Sequence, residues 1–235
     1  LLLPSDNAAS MAIARGLAGD VETFMGWMND LATSWGLADT HCANPHGLDD
    51  QDGYSTAYDV AILASYAMDD PTFADIVECS EAYVGGHWVE STNELLSTYP
   101  GTIGVKTGTT DAAGECLVTM TDRPSGKMLS VVMGSQDRYL DTRLLLDYAY
   151  ANYAEVHINL PETPQNRYMD ENHNWHGLRL REPMTLLVSP WQASTARLYR
   201  RIDSIASNPS PEVPVGVLQV AVAGRHLTEV PIYIR

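Results

Sequence analysis

The sequence predicts an α+β domain followed by a small all-β domain, and three observations lead to this fold class. Apolar residues recur at helical spacing up to about Met68, and this spacing returns over residues 138–152. Between these stretches, "GECLVTMT" and "KMLSVVMG" are apolar strands joined by a turn. Beyond Glu155, short alternating runs separated by Pro- and Asn-rich turns are typical of strands alone. We therefore predict an α+β domain at residues 1–155 and an all-β domain at residues 156–235.

The first two expected helices have recognisable ends. An alanine-rich pattern over residues 8–18 stops at Gly19, and Asp20 can cap the helix that follows. Large apolar residues recur along the second helix, and we expect them in the core: Phe24, Trp27, Met28, Leu31 and Trp35.

Two further helices and a hairpin follow. Thr56 and Asp59 have the spacing of a capping box, which predicts a helix that runs to about Met68. Pro71 is suited to the first turn of another short helix. The segment "EAYVGGHWVE" predicts a hairpin centred on its two glycines. We expect the linker between the two domains near residues 157–166, "HINLPETPQN", because of its prolines.

The charge of the chain excludes one class of partner. Fourteen Lys and Arg residues stand against 30 Asp and Glu residues, for a formal net charge of −16 at pH 7. Such a surface repels phosphate backbones, so we expect no nucleic acid as a partner. The histidines and cysteines lack the spacing of metal ligands, and we expect neither a metal nor a cofactor.

Two short motifs carry the chemistry. Ser5-x-Asn7 lies in a turn ahead of a helix, where its side chains can point into a cleft. Lys106-Thr107-Gly108 begins a strand segment whose backbone N–H groups can line an oxyanion site. Ser-x-Asn and Lys-Thr-Gly are two of three motifs typical of penicillin-binding proteins and class A β-lactamases.

Longer stretches extend this likeness over nearly the whole chain. The sequence resembles the serine-type D-alanyl-D-alanine carboxypeptidases, the low-molecular-mass penicillin-binding proteins, in "NPHGLDDQDGYSTAYDVAILA", "TNELLSTYPGTIGVKTGTTDAAGECLV" and "VPVGVLQVAVAGRHLTEVPIY". The resemblance implies a β-lactamase/transpeptidase-like first domain. It also implies peptidoglycan stem peptides ending in D-Ala-D-Ala as substrates, binding of β-lactam antibiotics, and an extracytoplasmic location.

The resemblance assigns catalytic roles to three residues. In this family, a Ser activated by a Lys one helical turn further on attacks the terminal D-Ala-D-Ala amide. Ser5 would relay a proton toward the leaving amine, and Asn7 would hold an amide of the substrate. Lys106 would supply positive charge to the cleft and support the relay.

Four other residues would bind the substrate. Thr107, together with an arginine, would hold the C-terminal carboxylate, and Arg138 is our candidate for that arginine because it follows the strand "SVVMG". The backbone N–H of Thr109 would form half of an oxyanion hole. Gly108 would let the substrate backbone lie close to the strand.

The nucleophile motif Ser-x-x-Lys does not occur in these 235 residues. The only two lysines are Lys106 and Lys127, and the residues three positions before them are Ile103 and Pro124. We expect the motif in a segment upstream of Ser5, with which this chain would associate, and we interpret the chain as N-terminally truncated. We further expect the chain alone to be inactive, and to be unstable or self-associating because a strand edge would be unpaired.

Two alternatives remain open. One is a non-catalytic homologue that binds peptidoglycan peptides or penicillin. The other, less favoured, is a class A β-lactamase, which needs a glutamate for deacylation. This chain has no glutamate between Glu22 and Glu78, and His41 and Asn44 lie where that base would be expected.

Overall fold

A computed structural model describes residues 1–203 and 210–235. The described residues divide into two compact units, Leu1–Tyr150 and Ala151–Arg235, and each is presented by itself. Within the described ranges, no helix is both long enough and apolar enough to cross a lipid bilayer.

The first unit combines helices with a three-stranded antiparallel sheet. Its helices are α1 (Asn7–Ala18), α2 (Val21–Ser34), α3 (Ala57–Met68), α4 (Pro71–Glu78), α5 (Leu95–Thr98) and α6 (Arg138–Asn152, which runs two residues into the second unit). Its strands are β1 (Glu81–Val84), β2 (His87–Glu90), β3 (Thr102–Thr110), β4 (Gly114–Arg123) and β5 (Gly126–Ser135). The predicted helices, the β1–β2 hairpin and the two apolar strands are confirmed.

The strand order β3-β4-β5 leaves β3 at an edge of its sheet. Lys106 pairs with Val118 of β4, and Thr109 pairs with Glu115 near the far end of β3. Since side chains alternate between the two faces of a strand, Lys106 and Gly108 lie on one face of β3 and Thr107 and Thr109 on the other.

Capping residues fix where the helices begin. The carboxylate of Asp20 accepts a hydrogen bond from Thr23 N at 2.8 Å, and Thr56 Oγ1 accepts one from Asp59 N at 3.1 Å. Both predicted caps are therefore confirmed. The second half of the predicted capping box is wrong, because the buried Asp59 carboxylate accepts hydrogen bonds from the Asp39 backbone and the Thr40 hydroxyl instead.

One core cluster of the first unit brings together residues of α5, β4, β5 and α6. Its buried residues are Leu95, Tyr99, Leu117, Met128 and Leu146. The core predicted for α2 is partly wrong, because Trp27 is 51% and Leu31 47% exposed, whereas Met25 and Ala32 are buried.

The second unit consists mainly of strands. They are β6 (Ala154–Ile158), β7 (Arg167–Met169), β8 (Trp175–Leu180), β9 (Met184–Val188), β10 (Arg197–Ile202), β11 (Gly216–Val222) and β12 (Arg225–Ile234). A single 3-10 turn (Pro164–Asn166) and a four-residue helix, α7 (Pro190–Ala193), complete the described part. The strands form a five-stranded sheet in the order β10-β11-β12-β8-β7 and a two-stranded sheet of β6 and β9.

The predicted linker at residues 157–166 is wrong. Ile158 is the last residue of β6, and both Ile158 (1% exposed) and Leu160 (7% exposed) lie in the core of the second unit. The apolar residues that precede Pro161 are therefore buried and do not belong to a solvated connection. The division between the units falls earlier, between Tyr150 and Ala151.

Candidate active site

The two sequence motifs meet although they lie 101 residues apart in the chain. Lys106 Nζ donates a hydrogen bond to Ser5 Oγ at 2.7 Å and a second one to the backbone oxygen of Thr107 at 2.8 Å. A hydroxyl within hydrogen-bond reach of an amine can exchange a proton with it. This arrangement is therefore chemically capable of the proton relay expected of Ser5.

A short turn presents Ser5 to the sheet. Leu3 is buried beneath this turn, and its backbone oxygen accepts a hydrogen bond from the backbone N–H of Thr92 at 3.1 Å. Ser5 itself has a φ of +56°, an uncommon conformation for a residue other than glycine. Asp6 then caps α1 by accepting a hydrogen bond from Ala9 N at 3.0 Å. The turn is thus held at both ends, which fixes the position of the Ser5 hydroxyl.

The environment of Lys106 lowers the pKa of its amine below the ordinary value of 10.5. Burial is the larger cause, since it disfavours the charged form, and the positive charge of Arg138 is the second. An amine that releases its proton more readily is better suited to move a proton to and from a neighbouring hydroxyl.

A cavity of about 270 Å³ adjoins this pair. Its lining comprises Ser5, Thr92, Thr107, Gly108, Thr109, Arg138 and Tyr139. The sequence predicted five of these residues and missed Thr92 and Tyr139. The Thr92 hydroxyl lies 2.5 Å from the Thr107 hydroxyl, and Tyr139 Oη donates to the Thr92 backbone oxygen at 2.7 Å. Both missed residues therefore support the orientation of Thr107.

Arg138 lies at the first position of α6 and lines this cavity. Its Nη1 donates to the backbone oxygens of Gly108 at 2.9 Å and Cys116 at 3.2 Å. Its Nη2 donates to Thr109 Oγ1 at 2.6 Å. The guanidinium group is therefore fixed across the end of β3 beside the cavity.

Glu115 was not predicted from the sequence. Its carboxylate contacts both the backbone and the guanidinium of Arg138. One carboxylate oxygen accepts a hydrogen bond from the backbone N–H of Arg138 at 3.0 Å, and the other lies 3.3 Å from Nη2. The pKa of Glu115 is lowered, first by the hydrogen bond from the backbone of Arg138 and also by its side chain. Glu115 lies opposite Thr109 on the neighbouring strand. This position could have indicated the contact, but it is known only once the strand register is known.

Asn7 is placed differently from the other predicted residues. It is the exposed first residue of α1, and it does not belong to the lining of the 270 Å³ cavity. The predicted contact between Asn7 and a substrate amide stays a prediction.

A larger cavity, of about 800 Å³, lies at the end of β3 beyond Thr109. The loop of residues 41–55 forms most of its wall, and Asp49 ties this loop to the strand. The Asp49 carboxylate accepts hydrogen bonds from Thr110 Oγ1 at 2.5 Å and from Ala112 N at 3.1 Å. This cavity was not predicted from the sequence.

Solved structures define the class of protein to which this fold belongs. The chain superposes on penicillin-binding protein 5 from Haemophilus influenzae with a TM-score of 0.84 and 23% identity, over 99% of this chain and 71% of the other. A variant of a DD-transpeptidase from Streptomyces gives a TM-score of 0.60 at 32% identity, over 63% of this chain and 64% of the other. The fold is that of the penicillin-binding proteins and transpeptidases, and the predicted fold class is confirmed.

Sequence relatives define the family more narrowly. The D-alanyl-D-alanine carboxypeptidase DacF of Bacillus subtilis is 33% identical over 165 residues, which is 67% of this chain and 42% of the relative. DacA of Haemophilus influenzae is 33% identical over 161 residues, 65% of this chain and 40% of the relative. The family model of the D-alanyl-D-alanine carboxypeptidases, peptidase family S11, matches residues 1–137, and the chain belongs to this family. It spans about two fifths of the length of these two relatives.

Proposed function

We propose that the protein is a D-alanyl-D-alanine carboxypeptidase that removes the terminal D-Ala from peptidoglycan stem peptides and is acylated by β-lactams. One observation carries the proposal: the 2.7 Å hydrogen bond between Lys106 Nζ and Ser5 Oγ, beside a cavity that also contains Arg138. Membership of the peptidase S11 family supports the same reaction. Because peptidoglycan lies outside the cytoplasm, we propose an extracytoplasmic location.

The reaction divides into acylation and deacylation. A nucleophilic serine gives its proton to the lysine one helical turn further on and attacks the carbonyl carbon of the penultimate D-Ala. The C–N bond to the terminal D-Ala then breaks, and an ester forms. Ser5 passes a proton to the leaving amine, and the charge of Lys106 supports this transfer. Asn7 holds an amide of the substrate, and water then hydrolyses the ester.

Recognition of the substrate centres on its C-terminal carboxylate. Arg138 and the hydroxyls of Thr107 and Thr109 bind this group, since a guanidinium and nearby hydroxyls are well suited to a carboxylate. The backbone N–H of Thr109 stabilises the developing oxyanion. Gly108 carries no side chain, so the substrate backbone can approach the free edge of β3.

The nucleophilic serine has to come from outside these 235 residues, because they contain no Ser-x-x-Lys sequence. We accordingly propose that the 235-residue chain by itself releases no D-Ala and forms no penicilloyl ester. A segment that carries the motif is a proposed partner of this chain.

One other function has a specific observation in its favour. The absence of Ser-x-x-Lys from these residues favours a non-catalytic protein that binds peptidoglycan peptides or penicillin. The intact Lys106-Thr107-Gly108 motif, whose lysine donates a hydrogen bond to Ser5 Oγ, argues against it, because a pure binding scaffold has no need of this motif. A class A β-lactamase is less favoured, since the loop of residues 41–55 contains no glutamate.

The test uses the product of the complete reading frame in which these residues lie. D-Ala release from a tripeptide that ends in D-Ala-D-Ala is measured together with the intact mass after incubation with a penicillin. We expect D-Ala release and one penicilloyl group per molecule. Lys106→Ala should lower kcat/KM by about 100-fold or more. Lys127→Ala, a change of the exposed second lysine, is the matched control and should leave the rate unchanged.

The possible results separate the functions. Binding of the tripeptide without D-Ala release and without a penicilloyl group would establish the non-catalytic alternative. Rapid turnover of penicillin would indicate a β-lactamase. A product that neither binds nor cleaves the tripeptide would refute the proposal.

A further inference from the structure

The guanidinium of Arg138 has no hydrogen-bond donor that is both unpartnered and accessible in this structure. Nη1 is used by two backbone oxygens, and Nη2 is used by Thr109 Oγ1 and by the carboxylate of Glu115. Nε is buried and has no hydrogen-bond partner among the described residues. The side chain of Arg138 is only 13% exposed. A substrate carboxylate can therefore bind Arg138 only by replacing one of these partners.

Of the two side-chain partners of Nη2, the Thr109 hydroxyl at 2.6 Å and the Glu115 carboxylate at 3.3 Å, Glu115 makes the longer contact and can give way. The oxygens of Gly108 and Cys116 belong to the paired strands β3 and β4 and cannot move without breaking the sheet. The Glu115 side chain is 36% exposed, and its distance of 3.3 Å to Nη2 is the longest of the four contacts. The other oxygen of Glu115 stays bound to the backbone N–H of Arg138, so the carboxylate can release Nη2 without leaving the site.

We propose that Glu115 is a positioning and specificity-determining residue, which holds Arg138 in place and competes with the C-terminal carboxylate of the substrate for Nη2. This inference rests on the proposed function of the site. In this structure, Glu115 occupies Nη2 and offsets the charge of Arg138. When the substrate binds, its carboxylate takes that place, and Glu115 keeps only its contact with the first N–H of α6.

Two substitutions separate the two parts of this role. Glu115→Gln keeps an oxygen that can accept the N–H of Arg138 but removes the competing charge. We expect KM for the tripeptide acid to fall by about three- to tenfold at low ionic strength with kcat unchanged, and this gain to shrink in high salt. Glu115→Ala also removes the contact that positions Arg138, so its KM should exceed that of Glu115→Gln.

A ligand without the carboxylate provides the specificity control. The tripeptide with a C-terminal carboxamide is measured as a competitive inhibitor, and its Ki should be the same for the wild type and Glu115→Gln. Asp122→Asn is the matched protein control: it makes the same change of charge on the same strand, seven residues away from Glu115, beside Lys127. Its KM should equal that of the wild type.

The experiment uses the same reading-frame product as the test of function. Failure of the proposed function can therefore be distinguished from failure of the inference about Glu115. If the wild type neither binds nor cleaves the tripeptide acid, the proposed function fails, and this inference fails with it. If the wild type is active but Glu115→Gln leaves KM unchanged, or changes KM and the carboxamide Ki equally, only the inference is overturned. If the wild type binds the tripeptide acid without cleaving it, the dissociation constants of the acid and the carboxamide are compared between the wild type and Glu115→Gln. A change for the acid alone supports the inference, and no change or an equal change for both overturns it.

Discussion

At the scale of single residues, the site places two cations close together. The positive charge of Arg138 and the burial of Lys106 both favour the neutral form of the Lys106 amine, and its pKa is lowered for these two reasons. Glu115 offsets part of the charge of Arg138. The protonation of Lys106 therefore depends on groups that lie elsewhere in the chain.

This arrangement predicts a particular pH dependence. If the reaction needs Lys106 charged, the rate of acylation by a penicillin should fall on the alkaline side with a midpoint below pH 10.5, because a lowered pKa means earlier loss of the proton. Lys106→Arg should remove this alkaline decrease up to about pH 11, since arginine keeps its charge. The measurement is the acylation rate of the reading-frame product between pH 7 and pH 11. Lys127→Ala should keep the wild-type profile, and an unaltered midpoint in Lys106→Arg would contradict the prediction.

Sequence motifs located part of the site, and the rest depended on contacts between distant segments. Ser5 and Lys106 could be predicted from the two motifs, and Arg138 from its position after the strand "SVVMG". Thr92 and Glu115 could not, because a threonine in a loop and a glutamate in a strand are common everywhere. Their positions next to Thr107 and Arg138 follow only from the fold.

At the scale of elements, the first residues of α3 have the sequence pattern of a capping box, but one of the two residues makes a different contact. Thr56 caps the helix as expected, but Asp59 does not complete a capping box. Its buried carboxylate binds the Asp39 backbone N–H at 2.9 Å and Thr40 Oγ1 at 2.8 Å. Asp59 thus connects α3 to the segment that leads into the loop of residues 41–55.

The contact of Asp59 with residues 39 and 40 and the cap formed by Thr56 should contribute differently to the free energy of unfolding. Asp59→Ala leaves two donors without their acceptor and should lower the free energy of unfolding by about 2 to 3 kcal/mol. Thr56→Ala removes only a cap and should cost about 1 kcal/mol. Asp69→Ala, at the exposed C-terminal end of the same helix, is the control and should be neutral. Denaturant titration measures the free energy of unfolding of the three variants. An equal decrease for Asp59→Ala and Asp69→Ala would contradict the stabilising role of the Asp59 contact.

Apolar periodicity predicted that α2 and α6 are helices, but not which residues they bury. In α6 the stripe seen in the sequence is about half exposed or more: Leu140, Leu144, Leu145 and Tyr148. The buried positions are Thr142 and Leu146, and Leu146 lies in the same core cluster as Leu117 and Met128 of the sheet. Helical spacing defines an element, whereas the neighbouring strands decide which face is covered.

At the scale of the whole molecule, each unit has a core of its own. The core of the second unit is built on β6, β8, β11 and β12. Within this unit, Asp170 is buried in the turn between β7 and β8, where it binds His176 Nε2 at 3.0 Å and the backbone N–H groups of Asn172 and Asn174, both at 2.8 Å. These contacts lower the pKa of Asp170 to about 2, and the hydrogen bond with His176 is the largest cause.

Acid should consequently destabilise the second unit through Asp170. The pKa in the folded state lies below the ordinary value of 3.8, so the stabilisation is present above about pH 4 and is lost as the pH falls toward 2. Asp170→Asn should unfold at a lower temperature at neutral pH, by roughly 5 °C, and show a weaker decline between pH 4 and pH 2. Thermal unfolding followed by circular dichroism tests this, with Glu171→Gln, a change of the exposed neighbour, as the control. The same decline in Asp170→Asn as in the wild type would refute it.

The sequence by itself determined the longer helices, the β1–β2 hairpin, the strands β4 and β5, the caps Asp20 and Thr56, the acidic charge and the two motifs of the site. These are local properties, because capping, turn formation and strand or helix periodicity depend on residues a few positions apart. Tertiary structure decided which faces are buried, that Ile158 and Leu160 belong to a core, and that Glu115 and Thr92 contact the site. Such contacts depend on strand register and on packing between segments many residues apart, and no local pattern in the chain encodes them.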